Sequence, residues 1–228
     1  MKKYELSNEY IEDGDRKFYR IRALKDLSGV KAGDLGGYVE RETNLSQNGG
    51  CWIYNDALVK DFAYVCEDAR VGGKAVISDH ATVYGQACVC EDARVFGNAR
   101  VFDNAKVRGE AIVRDNAIVC EDARVIDRSC VMSNAYVHGL AQLVGRAEIS
   151  NGADISDDNP YMFISSFNKR RYNPLTFYRD TNGNIMVNGF SLSSVEDLDC
   201  NDTELGKLNT QACKLARAFF DYRNNTND

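Results

Sequence analysis

Only two prolines stand in the chain, Pro160 and Pro174, and both lie beyond position 156. The long stretch before them therefore lacks the one residue that cannot donate to a backbone ladder, as uninterrupted strand pairing requires. Histidine is as scarce. With His80 and His138 alone, one chain cannot assemble a zinc centre of three histidines. No apolar run approaches the ~20 residues that span a bilayer, and the basic start Met1-Lys2-Lys3-Tyr4 has no apolar run behind it. A cytoplasmic protein without membrane association is expected. Positive charge is in deficit: 28 Lys and Arg face 34 Asp and Glu, for a net −6. That balance argues against a dedicated nucleic-acid binder, because phosphate backbones reward a basic surface. Eight cysteines could frame disulfides in a small secreted domain, but without a secretion signal they read as reduced thiols.

What the chain has is a period of six. Every sixth residue from Ala57 to Ala153 is alanine, Ser129 excepted, and two residues after each stands Val, Ile or Leu, from Val59 through Ile155. Self-similarity at a fixed short period marks a solenoid whose units bury their faces only by stacking. A small residue fits near each corner of a narrow tube and a branched aliphatic fills each flat side. Three corners close a triangular coil of eighteen residues, so 51–156 gives about six coils, roughly 29 Å tall at the strand spacing. The residue just before alanine is often Asp, Asn, Gly or His, as at Asp56, His80, Asn98 and Asn116. These types tolerate positive φ and are expected to hold it at the corners. On that expectation Asn98→Leu strains the backbone.

The flanks carry no repeat. Residues 1–50 include a hairpin, Tyr4–Ile11 and Lys17–Leu24 around Glu12-Asp13-Gly14-Asp15, expected to cover the open first coil. Residues 157–228 read as a small α+β module. Its strands are Tyr161–Ile164, Leu175–Arg179 and Ile185–Phe190, the last two joined by the turn Asp180-Thr181-Asn182-Gly183. A helix follows from Thr203 to about Tyr222, with Leu205, Leu208, Ala212, Leu215 and Phe219 on one buried face. The module is expected to cap the solenoid or to serve in oligomerisation.

The hexads Val83-Tyr84-Gly85-Gln86-Ala87-Cys88-Val89 and Val95-Phe96-Gly97-Asn98-Ala99-Arg100-Val101 resemble the hexapeptide-repeat left-handed β-helix superfamily. So does the lead-in, Gly29 to Val39 and Cys51-Trp52-Ile53-Tyr54. Their style is the one common in phage and bacterial proteins often labelled acyltransferases, and the likeness covers about 130 residues. It implies an all-β solenoid, a left-handed parallel β-helix, and a homotrimer. It also implies phage or prophage origin and a role in countering host defence. The tail, through Leu175-Thr176-Phe177-Tyr178 and Asn182-Gly183, resembles the module that ends related phage solenoids. The acyltransferases of the superfamily use a histidine as general base with acetyl-CoA as donor. His138 is the better match, since it points outward whereas His80 fills a corner. The two stand 58 residues apart, ~15 Å along the axis.

The register sorts outward side chains by face. Thirteen of fifteen acidic residues between 51 and 156 fall at corners, while eight of eleven basic residues flank an inward aliphatic. Arg70, Cys88, Lys106, Arg124 and Gln142 form one ladder with Arg108 beside it, and Arg94, Arg100 and Arg114 continue a basic belt at mid-height. Planar guanidinium forks suit phosphate or carboxylate, so the belt is the candidate ligand site. Tyr64, Tyr84, Phe102, Ile118 and Tyr136 make an aromatic stripe, the candidate oligomer seam. Val76, Phe96, Ile112 and Met132 make a second stripe. In Cys88-Val89-Cys90 both thiols face out, where basic neighbours disfavour a bound cation and could lower a thiol pKa. No metal site and no cofactor are expected, acetyl-CoA entering only with acyl transfer. The residues favour a non-catalytic homotrimeric solenoid that binds an anionic small molecule, such as a nucleotide signal, or a host protein. The alternatives are a hexapeptide-type acyltransferase and a purely structural component.

Overall fold

The computed structural model describes residues 2–158, 161–164, 175–179, 185–187, 190–191, 215 and 218–219. Between Trp52 and Ile155 every strand is two residues long, one side chain out and one in: Leu58–Val59, Tyr64–Val65, Arg70–Val71 and so on to Asp154–Ile155. The inward Val, Ile or Leu and the alanine before each strand are almost fully buried, Ala141 being the most exposed of them at 6%. Each strand pairs in parallel with the one eighteen residues away, as Cys88 does with Arg70 on one side and Lys106 on the other. Pure alternation of one outward and one inward residue is what a tube with three flat walls demands.

Three sheets result, each a ladder of rungs from successive coils. The first face carries Leu58, Val76, Arg94, Ile112, Cys130 and Glu148 outward. On the second stand Tyr64, Thr82, Arg100, Ile118, Tyr136 and Asp154. The third has Trp52, Arg70, Cys88, Lys106, Arg124 and Gln142, Trp52 being buried. The chain is the all-β left-handed solenoid of triangular coils that the hexads require, with about 7 turns.

The additional turn is the lead-in. Three strands, β1 (Tyr4–Asp13), β2 (Arg16–Ala23) and β3 (Leu35–Val39), form an antiparallel unit whose last member enters the first face, with Tyr38 opposite Leu58. Leu45 then bridges to Val65 on the second face. This turn lacks the alanine period, so its coil geometry is set by close approach instead. A Cβ at Gly37 would lie 2.5 Å from the Ala57 carbonyl oxygen. The hairpin closes the open end as expected: Tyr4 is buried, its hydroxyl donates to the Leu45 carbonyl at 2.9 Å, and its ring meets Trp52 edge-on. The buried Lys3 ammonium donates to the Cys51 carbonyl at 2.9 Å.

The corners differ from the expectation. Positive φ falls two residues before alanine, on Asn55, Asp61, Glu67, Asp79 and their equivalents, and not on the residue just before it, where Gly152 alone has it. Each alanine whose turn bond forms donates its N–H to the carbonyl three residues back, as Ala57 does to Tyr54 at 3.2 Å, and the first residue of the enclosed pair must then swing into the left-handed region. Asn98 is therefore unstrained. The acids at these positions face the same turn of the next coil, and several accept its N–H: Gly97 donates to Asp79 at 2.9 Å, Gly109 to Glu91 and Gly139 to Glu121 at 2.8 Å. Corner acidity is thus largely a device for satisfying backbone donors that the ladders leave over.

One such acid also anchors the hairpin. Arg16 on β2 bonds both Glu40 and Asp61, the latter at 2.6 Å. Burial pushes both carboxyls up, but the backbone N–H donors and the Arg16 guanidinium outweigh it and hold both below the usual carboxylate range. A depressed folded value stabilises above the unfolded pKa of about 4 and is lost as pH falls through the lower one. Arg16→Met should therefore lower the melting temperature most near neutrality. The gap to wild type should close below about pH 3 in melts followed by circular dichroism.

At the other end Met162–Ile164, Leu175–Arg179, Ile185–Val187 and Phe190–Ser191 form a four-stranded antiparallel sheet, one strand more than the sequence suggested. Thr176, Phe177 and Tyr178 are buried; Thr176 Oγ1 accepts from the Glu148 N–H at 3.0 Å, and the Tyr178 hydroxyl meets Ser150 Oγ at 3.1 Å. These contacts close the last coil. The turn 180–183 lies outside the described residues, as does nearly all of the helix expected from 203 to 222.

Candidate functional site

His138 stands just after the strand Tyr136–Val137, where the second face turns toward the third. Its ring stacks on Tyr136 with centroids 4.3 Å apart and an interplanar angle of 15°. Nε2 lies 2.8 Å from Asp154 Oδ1, the residue that pairs with Tyr136 one rung on. Nδ1 is 3.9 Å from Glu121 Oε2, whose carboxylate is taken up by the Gly139 N–H. One coil before, the buried Cys120 thiol lies 3.5 Å from the Tyr136 hydroxyl, and burial pushes that thiol up. The imidazole side chain is 24% exposed, held on three sides yet open to solvent. A carboxylate can only accept, so the proton of the neutral ring sits on Nε2 and the lone pair on Nδ1. A base oriented by a carboxylate is the arrangement that general-base chemistry uses.

His80 is placed otherwise. It lies in a corner with its ring stacked on Phe62 at 5.0 Å, and Arg41 covers the other ring of that pair. At that corner His80 packs on an aromatic ring, whereas His138 meets a carboxylate.

The basic belt divides. Lys106, Arg108 and Arg124 share a groove of about 330 Å³ on the third face with Gln142, Ile126 and the corner residues Glu91, Gly109 and Asp127. Arg70 stands in the same ladder with Cys88 between it and Lys106, outside the groove. Arg94 and Arg100 are on the first and second faces, and Arg94 lies over Phe96. Arg114 is engaged by Asp115 and Met132. The belt therefore encircles the solenoid, and one part of it converges.

In the aromatic stripe Tyr84 and Phe102 stack at 4.7 Å, nearly parallel, in the column of outward residues that follow the strands. Tyr64, Ile118 and Tyr136 occupy the neighbouring ladder, interrupted by Thr82 and Arg100. Flat stacking leaves these rings half-buried, Tyr64 excepted. Burial lifts the Cys90 thiol to about 11, so its basic neighbours do not activate it. The described cysteines are all free, no group of three His, Cys, Asp or Glu among the described residues could hold a metal, and no described helix is long and apolar enough to cross a membrane.

Asp154 is the site residue that the sequence reading passed over, although the register places it one rung beyond Tyr136 and so diagonally beside His138. Ile126 and the two corner acids of the groove were likewise unassigned, whereas Gln142 already stood in the ladder with Lys106 and Arg124.

No protein-family model matches the chain. A stretch of it is similar to the uncharacterized acetyltransferase YdcK of Escherichia coli (strain K12), 40% identical over 86 residues, which is 34% of this chain and 26% of that protein. The chain spans about a quarter of the length of the curated relative it matches. It is thus a hexapeptide-repeat β-solenoid of three parallel sheets, distantly related over one stretch to a protein named as an acetyltransferase.

Proposed function

We propose that the protein transfers an acyl group from an acyl-CoA thioester to a hydroxyl or amine acceptor, with His138 as the general base. The observation that carries this reading is the His138–Asp154 pair. In the step it supports, Nδ1 takes the acceptor proton as the acceptor oxygen or nitrogen attacks the thioester carbonyl. Collapse of the tetrahedral intermediate breaks the carbon–sulfur bond, and the imidazolium returns the proton to the departing thiolate. Asp154 fixes the ring orientation and stabilises the imidazolium meanwhile. The likeness to a protein named as an acetyltransferase supports the same reaction class. The experiment is acyl transfer from acetyl-CoA by wild type, His138→Ala and, as a control from the same fold, His80→Ala.

The working form in this reading is a parallel homotrimer seamed along the second face. The half-buried stack of Tyr84 on Phe102 supports it, because a flat aromatic surface beside a polar corner is suited to a partner's wall. Phe102→Glu should shift the mass seen by light scattering from trimer toward monomer, since a carboxylate in that seam has no partner. A mutant that remains fully trimeric would move the seam to another face. The non-catalytic binding role is favoured by a separate observation, the convergence of three cations on the third face.

A further inference from the structure

The third-face groove gathers three cations into one depression. Elsewhere cations are either paired, as Arg16 on Glu40 and Asp61, Arg20 on Asp56, Lys31 on Asp26 and Arg128 on Glu110, or stand singly on their rungs, as Arg70 and Arg100 do. Lys106, Arg108 and Arg124 line one depression, yet none of them has a hydrogen-bond or ion-pair partner among the described residues. The two carboxylates at its edge are not their counter-ions. Glu91 Oε2 accepts the Gly109 N–H at 2.8 Å and Asp127 Oδ2 accepts the Gly145 N–H at 2.9 Å, so both are turned to the backbone of the next coil. The groove thus presents three cations without an ion pair beside two carboxylates that each bond a backbone N–H of the next coil.

Spacing narrows the ligand. Lys106 and Arg124 are directly opposite on adjacent rungs, ~4.8 Å apart along the axis, and Arg108 lies two residues beyond Lys106 on the same rung. A single carboxylate reaches one rung. Two linked phosphoryl groups spread their charge over a length comparable to the step and can meet a guanidinium fork on each rung, with the ammonium between as a point charge. Beside Arg108 the same column continues into Ile126, half-buried in the groove, and then Val144, 39% exposed. That apolar ledge is a place for a planar ring to rest. The geometry points to a nucleoside diphosphate moiety as the occupant: the diphosphate on Lys106, Arg108 and Arg124, the base against Ile126 and Val144.

The inference stands apart from acyl transfer, because none of these residues touches His138 and its readout is binding. One chemistry has two sources, a free nucleoside diphosphate or the 3′-phosphorylated ADP portion of coenzyme A, and the experiment separates them. Calorimetry with inorganic pyrophosphate, ADP, AMP and coenzyme A would be run on wild type, Lys106→Ala, Arg108→Ala, Arg124→Ala and the outlying Arg70→Ala and Arg146→Ala. ADP should bind, pyrophosphate should compete with it, and AMP should bind more weakly. Each groove variant should lose about 10- to 100-fold in affinity, the cost of one charge-assisted contact, while the two outlying variants stay within about twofold. All five side chains are at the surface, so circular dichroism should report unchanged folding. If coenzyme A competes with ADP at the groove as pyrophosphate does, the diphosphate arrives on the acyl carrier. If pyrophosphate competes and coenzyme A does not, the groove takes a free nucleotide, and both outcomes support a diphosphate site. Coenzyme A binding without ADP or pyrophosphate binding would overturn it, as would equal affinity across the groove variants or no binding by any probe at millimolar concentration. His138→Ala should leave ADP binding intact, so failure of the acyl-transfer reading is seen separately.

Discussion

In His138→Ala, acyl transfer should fall by about 10²- to 10⁴-fold, the range that a positioned base contributes. The loss should appear in kcat and in kcat/KM alike, because the missing proton acceptor is needed in the transition state and contributes little to ground-state binding. Asp154→Asn should fall less. The amide keeps a bond to Nε2, but as an oxygen acceptor without charge it stabilises the imidazolium poorly, and it can also present its NH₂ and so turn the ring to the other tautomer. His80→Ala loses a stacking partner for Phe62 and should retain activity. Equal activity in wild type and His138→Ala would remove His138 from the chemistry.

Gly97→Leu should be among the most destabilising changes in the solenoid. Its φ is +72°, and a Cβ there would lie 2.8 to 2.9 Å from the N, Cα and O of Asp115, all backbone atoms of the next coil. The backbone strain alone costs about 1–3 kcal/mol, and the clash cannot be relieved by turning a flexible side chain. Ala99→Leu, two residues on, overpacks a fully buried position in a tube with no room to widen, for about 1–3 kcal/mol or more. Drops in melting temperature on the order of 10 °C are expected for Gly97→Leu. Asn98→Leu, between them, should cost only about 1 kcal/mol, because its φ is ordinary and it gives up one exposed bond, from Asn98 Nδ2 to Asn116 Oδ1 at 3.0 Å. A scan in which Asn98→Leu melts as low as Gly97→Leu would place the left-handed residue back beside the alanine.

The contrast between those two positions shows where sequence reasoning reaches and where it stops. The inward pair of each hexad is legible because burial admits only small and branched apolar residues, and the period then gives the faces, the rungs and the ladder Arg70, Cys88, Lys106, Arg124, Gln142 in correct order. The two outward corner residues look alike, since Asp, Asn and Gly suit both, and the alanine N–H decides between them. A signal was present: Gly73, Gly85, Gly97, Gly109, Gly139 and Gly145 all stand two before alanine. The lead-in turn from Tyr38 carries no hexad because Gly36 and Gly37 and the cap residues replace the alanine. The pairing of His138 with Asp154 follows from the register once the rung Tyr136 to Asp154 is drawn. That each carboxylate at the groove bonds a backbone N–H and not a groove cation does not, because it depends on how each acid turns at its corner.

Transfer of label from acetyl-CoA carrying a radioactive acetyl group to acceptors bearing a primary amine or a hydroxyl tests the acyl-transfer account most directly. Wild-type protein should move label from the thioester to at least one acceptor, in proportion to protein, with His80→Ala matching it and His138→Ala near the blank. Label that stays on coenzyme A with every acceptor while the protein is folded, or that moves as fast with His138→Ala, would contradict the account.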